Sequence, residues 1–191
     1  KDISLGVPVR INIENAVAAI AVALLSGADE DEIREATSTY GGAKRRFDFI
    51  IKDKDVVFID DYAHHPRELK ASIESIKLLY ADKKVTGVFQ PHLFSRTRDF
   101  MYEFAESLSL LDELILLDIY PAREEPIPGV TSQQIFDRVS IENKILIPKE
   151  NLIDKLGNIE PEVLVTFGAG DIDKLLPGIE KMLRNKYSLD V

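Results

Sequence analysis

From residue 46 onward, short continuous apolar runs alternate with longer segments in which apolar residues return every three or four positions. The run Val56 to Ile59 is rich in β-branched residues and leads into Asp60, Asp61, Tyr62, Ala63, His64, His65 and Pro66. Leu69, Ile73, Ile76 and Tyr80 then follow at helical spacing, with Pro66 suited to a first helical turn. Val85 to Phe89 is a second such run, and it enters Gln90 to Arg98 before Phe100, Met101, Phe104, Leu108 and Leu111. The pattern predicts strands over 56–60, 85–89, 114–119, 145–147 and 163–167, and helices over 66–80, 97–111, 131–140, 149–156 and 171–185. Phe47, Phe49 and Ile51 alternate ahead of a turn at Asp53, Lys54 and Asp55, which adds one antiparallel strand. The expected class is α/β: a mostly parallel sheet of about six strands with one antiparallel strand and helices on both faces.

The first part of the chain reads differently. Ala16, Val17, Ala19, Ile20, Val22, Ala23 and Leu24 form a helix that is apolar nearly all round and stops at Gly27. Asp29 and Glu32 form a capping box for a second helix through Ile33 and Ala36, ending near Gly41 and Gly42. Two helices cannot bury such a surface by themselves. Residues 1–45 are therefore expected to be the tail of a larger upstream domain, and residues 46–191 a domain of their own.

Composition narrows the chemistry. No apolar run reaches membrane-spanning length and no signal-like start is present, so the expected location is the cytoplasm. The absence of cysteine removes disulfides, thiolate metal sites and cysteine nucleophiles. A formal net charge of −9 argues against nucleic-acid or anionic-membrane partners and makes the basic groups Lys44, Arg45, Arg46 and Arg96, Arg98 local features.

All three histidines, His64, His65 and His92, fall in the two loops that follow the first parallel strands. In open α/β sheets such loops lie at the carboxyl ends of strands, where ligands bind. Asp60 and Asp61 can accept from a ribose diol, bind a metal, act as a base, or brace the loop. Tyr62, His64 and His92 add donors and acceptors near neutrality, and His65 before Pro66 also suits a helix N-terminus. Arg96, beside an expected helix start at Thr97, would clamp a carboxylate or phosphate with its guanidinium fork and the helix dipole together. The loop Tyr120 to Gly129, stiffened by Pro121, Pro126 and Pro128, can hold polar groups such as Glu124 or serve as a rigid connector. Gly168, Ala169, Gly170 and Asp171 make either an anion-approaching helix start or a plain tight turn.

The segments GAKRRF, DDYAHHP, QPHLFSRTRD and YPAREEPIPG, in this order, resemble the Mur ligases of bacterial cell-wall synthesis, most closely their alanine-adding members. The resemblance runs from about Asn12 to the Gly168–Asp171 loop. It implies a Rossmann-like C-terminal Mur ligase domain preceded by the end of the central ATP-binding domain. The implied reaction is ATP-dependent: the carboxylate of UDP-N-acetylmuramate becomes an acyl phosphate, which the amine of L-alanine attacks to give the amide. Position by position, Asn12 and Asn15 match residues at the adenine, Arg46 a residue that reaches the phosphates, and Asp61 the acid that holds the ribose. Tyr62, His64 and Arg96 match positions at the incoming amino acid. Ile11 stands where many relatives carry histidine, and Leu93 where many alanine-adding members carry a second arginine. The family's phosphate loop, magnesium ligands and carbamylated lysine would lie upstream of these residues, the magnesium site mainly in the central domain. No metal site and no catalytic residue is expected within these residues, and the chain by itself is expected to be inactive.

A non-catalytic nucleotide-binding module is one competing reading, and two others are more specific. One is the tripeptide-recycling muramyl ligase of the same family, which also carries a histidine pair here. The other is a metal-dependent hydrolase with Asp60, Asp61, His64, His65 and His92 as ligands.

Overall fold

The structure is a computed structural model that describes residues 2–7 and 9–189, without the side chains of residues 10 and 11, so the departure at Ile11 lies outside the described side chains. Residues 1–44 and 45–191 form two compact units. In the first, α1 (Arg10–Leu25) ends at Ser26 and is followed by Gly27 at φ +87°, a left-handed conformation glycine adopts without strain. α2 (Glu30–Thr39) carries the expected capping box: the Asp29 carboxylate accepts from Asp31 N at 2.8 Å and Glu32 from Asp29 N at 3.2 Å. On α1, Ile13, Val17, Val22 and Leu25 are 47%, 65%, 63% and 90% exposed, so the apolar helix lacks cover on that surface.

The second unit is built on six strands: β1 (Asp48–Lys52), β2 (Val57–Asp61), β3 (Val85–Phe89), β4 (Glu113–Leu117), β5 (Lys144–Ile147) and β6 (Val163–Phe167). They lie in the order β1-β2-β6-β3-β4-β5, with β1 antiparallel to β2 and every other pair parallel. The helices are α3 (Pro66–Leu79), α4 (Phe94–Asp99), α5 (Met101–Leu108), α6 (Gln133–Phe136), α7 (Leu152–Gly157) and α8 (Leu176–Tyr187). Alternation along the strands sends Phe58, Val88, Ile115, Leu117 and Leu164 to one face, where they pack with Leu152, Leu156, Ile179 and Leu183 of α7 and α8. Leu69, Ile73 and Ile76 of α3 and Phe104 and Leu108 of α5 are buried on the other side, and Phe89 meets Phe104 with ring centroids 5.3 Å apart. β6 enters between β2 and β3, so the chain leaves the sheet on both sides of it. The loops after β2 and β3 therefore flank the end of β6, as at a topological switch point.

The elements differ from the sequence expectation at four places. Alternation in β1 breaks at a bulge between Phe49 and Ile51. The helix expected over 97–111 is two helices that begin at Phe94 and part at Phe100, whose ring lies 4.9 Å from that of His65. The helix expected over 131–140 is only α6, because Lys144 Nζ takes the carbonyls of Phe136 at 2.8 Å and Val139 at 2.5 Å. Asp171 to Leu175 is wound as a 3-10 turn, its start pinned by Ile172 N donating to Gln90 Oε1 at 3.0 Å.

Candidate active-site loops

The two aspartates that end β2 have separate environments. Asp60 is fully buried and accepts from Thr166 Oγ1 at 2.6 Å and Arg45 Nε at 3.0 Å. Arg45 also donates to Gly168 O at 2.7 Å and lies 3.5 Å from an Asp173 oxygen. Asp60 is thus the brace that ties β2 to β6 and the residue-45 junction, and its role as ligand or base falls away. Burial pushes its carboxyl pKa up, opposed by Thr166 and Arg45. The junction holds Arg45 and Phe47 at φ 62° and 51°, conformations uncommon outside glycine.

Asp61 is only partly buried. Its Oδ1 accepts from Ala63 N at 3.2 Å and Oδ2 from Ser72 Oγ at 2.6 Å, which leaves lone pairs on each oxygen. Burial raises its pKa to about 6, against the pull of Ser72 and Ala63. A raised folded-state pKa stabilises the fold fully only below the unfolded value near 3.8, and that contribution is lost as pH rises through about 6. Asp61→Asn is accordingly expected to stabilise the chain by roughly 2 kcal/mol at pH 7.5 relative to its effect near pH 4. Urea unfolding at both pH values measures this, and a mutational effect independent of pH would contradict it. A carboxylate kept where ionisation costs stability is what a functional position looks like.

Beyond Asp61 the side chains converge. The exposed Arg46 guanidinium lies 5.3 Å from the centre of the Tyr62 ring and that of Arg45 5.0 Å. Tyr62 is 5.2 Å from the His64 ring, which is 6.2 Å from the His92 ring. His64 Nδ1 lies 2.9 Å from Tyr62 O; because a carbonyl only accepts, Nδ1 carries the hydrogen. Arg96 Nη1 lies 3.4 Å from His92 Nδ1. Burial, then the charges of Arg96 and His64, lower the His92 pKa, with Glu124 opposing, so His92 is a neutral acceptor toward Arg96. Tyr62, His64 and Arg96 are therefore brought together, linked by His92. His65 caps α3 instead, accepting from Arg67 N at 3.4 Å.

Arg96 does not sit beside a helix start at Thr97. α4 begins at Phe94, so Arg96 is inside a six-residue helix and its last turn, and the expected dipole assistance at Thr97 is absent. Thr97 is buried, with its hydroxyl on Leu93 O at 2.9 Å. Leu93 holds φ 75° and ψ 134°, a costly backbone for leucine, fixed by its N–H on Tyr120 O at 3.0 Å and by that Thr97 bond.

The Gly168–Asp171 loop is a packing device rather than an anion cradle. A Cβ at Gly168, φ +140°, would fall 2.8 Å from Gln90 O, and one at Gly170 would fall 2.8 Å from Tyr120. Asp171 accepts from Gln90 Nε2 at 3.0 Å and pairs with Lys149, so the turn presents a carboxylate. Sequence reasoning missed Gln90, whose amide ties the β3 loop to this turn, and the Arg45–Asp60–Thr166 brace. Asn12 and Asn15 lie on α1 in the first unit; Asn12 Nδ2 donates to Val7 O at 3.3 Å and Asn15 is exposed. With Asp60 buried and His65 capping a helix, the hydrolase ligand set does not assemble. Among the described residues no three His, Cys, Asp or Glu side chains are grouped to hold a metal ion.

The family model described as "Mur ligase, glutamate ligase domain" matches residues 45–170. The chain belongs to the Mur ligase family. It is 58% identical over 182 residues to a UDP-N-acetylmuramate--L-alanine ligase of Parabacteroides distasonis, covering 95% of this chain and 39% of that protein. It is likewise 58% identical over 187 residues to the enzyme of that name from Phocaeicola vulgatus, covering 97% and 41%. Among solved structures, UDP-N-acetylmuramate-alanine ligase MurC of Thermotoga maritima aligns at TM-score 0.79 and 26% identity, over 96% of this chain and 40% of that one. This Mur ligase chain thus spans about 40% of the length of these relatives. A murein peptide ligase of Psychrobacter arcticus, at TM-score 0.65 and 21% identity, shares the fold.

Proposed function

We propose that this chain is the part of an ATP-dependent ligase that docks L-alanine and completes the nucleotide site while L-alanine is joined to UDP-N-acetylmuramate. The observation that carries it is the cluster of Tyr62, His64, His92 and Arg96 at the strand ends, adjoining Asp61 and Arg46. The names of the relatives support alanine as the amino acid and UDP-N-acetylmuramate as the acceptor, in peptidoglycan synthesis. They favour this reading over the tripeptide-recycling one.

Arg96 holds the alanine carboxylate through its planar fork, with His92 fixing the guanidinium and Tyr62 and His64 forming the adjoining wall. Asp61 fits a ribose diol, since each oxygen keeps an open lone pair. Arg46, exposed beside Tyr62, fits a polyphosphate. Asn12 and Asn15 supply amides to the adenine edge. ATP supplies the phosphoryl group that activates the muramyl carboxylate; magnesium and its ligands belong to the central domain. The unit boundary after residue 44 and the exposed apolar surface of α1 support reading residues 1–45 as the end of that domain and 46–191 as the C-terminal one. No helix among the described residues is long and apolar enough to cross a membrane, in keeping with a cytoplasmic enzyme acting on a nucleotide-linked sugar.

The isolated chain should fold, bind ATP weakly, and neither hydrolyse ATP nor form the amide, whereas the chain extended upstream should do both. Coupled ADP-release and amide-formation assays on the two proteins test this, and ligase turnover by the isolated chain would place the catalytic core inside it.

A further inference from the structure

We propose that Glu124, in the proline-rich loop after β4, is a positioning residue for amino-acid binding: it fastens that loop to the first turn of α4 and so fixes Arg96. The proposal rests on the amino-acid-docking role above.

α4 has six residues, and its N-cap, Leu93, has no side chain that can accept from the first N–H groups. Glu124 supplies the acceptor from 29 residues away: one oxygen accepts from Ser95 N at 2.9 Å and the other from the Ser95 hydroxyl. These two bonds, the hydroxyl one first, hold the Glu124 carboxyl below its ordinary pKa, so it is a carboxylate at neutral pH. The loop is fastened at its near end as well. Leu93 N donates to Tyr120 O at 3.0 Å, Tyr120 N donates to Pro91 O at 2.8 Å, and the Tyr120 ring stacks on His92 with centroids 5.7 Å apart. Arg96 is one residue after Ser95, and the charge of Glu124 is felt by both Arg96 and His92. Arg45 is committed to Asp60 and Gly168 and Arg98 to Asp99, whereas among the described residues Arg96 has no carboxylate within ion-pairing distance. An unpaired guanidinium reaches an incoming carboxylate at low entropic cost only when its backbone and neighbour are held. Glu124 does this without forming an ion pair with Arg96, because its oxygens are turned to the first turn of α4 at Ser95. The strained backbone at Leu93 fits the same picture, since such conformations persist where their surroundings over-determine them.

The test uses the full-length enzyme. Glu124→Ala should raise the KM for L-alanine about tenfold while the KM for ATP stays within about twofold, because the interactions lost are those to the first turn of α4. Glu124→Gln keeps an acceptor for Ser95 N and a donor for its hydroxyl, and should restore most of the alanine KM. Ser95→Ala removes one bond and should give an intermediate increase of about threefold. Parallel rises in both KM values with a lowered melting temperature would make Glu124 merely structural and overturn the proposal. So would an unchanged alanine KM in Glu124→Ala or, if that variant does not fold, in Ser95→Ala. A wild-type enzyme that forms no alanine amide would instead bring down the docking role itself.

Discussion

Replacing Arg96 with alanine is expected to remove most of the full-length enzyme's preference for L-alanine over alaninamide. Leu93 offers no second cation, so on the proposed reading one guanidinium should carry the carboxylate, with His92 3.4 Å from it. A hydrogen-bonded charged partner in a partly buried site is worth about 1.5–3 kcal/mol, or roughly tenfold to more than a hundredfold in kcat/KM. Since α4 starts at Phe94, the helix dipole does not back up Arg96 from Thr97, which leaves the fork geometry as the main resource. Arg96→Lys retains charge without the planar fork and should remain impaired. The KM for ATP should hardly move. Steady-state kinetics with alanine and alaninamide read the outcome, and undiminished discrimination in Arg96→Ala would assign the carboxylate to another group.

The second large effect is on stability. Arg45→Met should destabilise the chain by about 3 kcal/mol at neutral pH, because it strands the fully buried Asp60 with Thr166 as its remaining side-chain partner and leaves Gly168 O without its Arg45 donor. Burial already raises the Asp60 pKa, and losing the guanidinium raises it further, so the loss should shrink as the pH falls and Asp60 protonates. Asp60→Asn combined with Arg45→Met should recover much of the loss, since it removes the uncompensated charge. Urea unfolding of the unmodified chain and of these two variants measures this. A loss below about 1 kcal/mol in Arg45→Met would mean that the brace is solvated or redundant.

The strands and the larger helices were legible because their signals are local. The β-branched run Val56 to Ile59, Pro66 at the first turn of α3 and the Asp29–Glu32 box each act within a few residues. The antiparallel β1–β2 pair followed from its turn. Legibility failed where a distant group decided the outcome. Glu124 caps α4 from another loop, so Thr97 was misread as a boundary; residue 140 was misread for a nearer reason, since Lys144, eight residues after Phe136, folds back onto its carbonyl. The same limit applied at the site. Neighbouring Asp60 and Asp61 are alike in sequence, but only the fold gives one to Arg45 and Thr166 and the other to Ser72 and Ala63. His64, His65 and His92 pointed to the right loops; His65 takes the helix-N-terminus role that Pro66 suggested, whereas His92 as the link to Arg96 was visible only in the fold.

The central claim is that these loops serve an amide-forming ligation rather than hydrolysis. The direct measurement is the product stoichiometry of the full-length protein given ATP, UDP-N-acetylmuramate and L-alanine. The account predicts that ADP, phosphate and the alanyl amide accumulate in equal amounts, and that Arg96→Ala lowers all three together at limiting alanine. Phosphate release that continues at the same rate without L-alanine, with no amide formed, would contradict it.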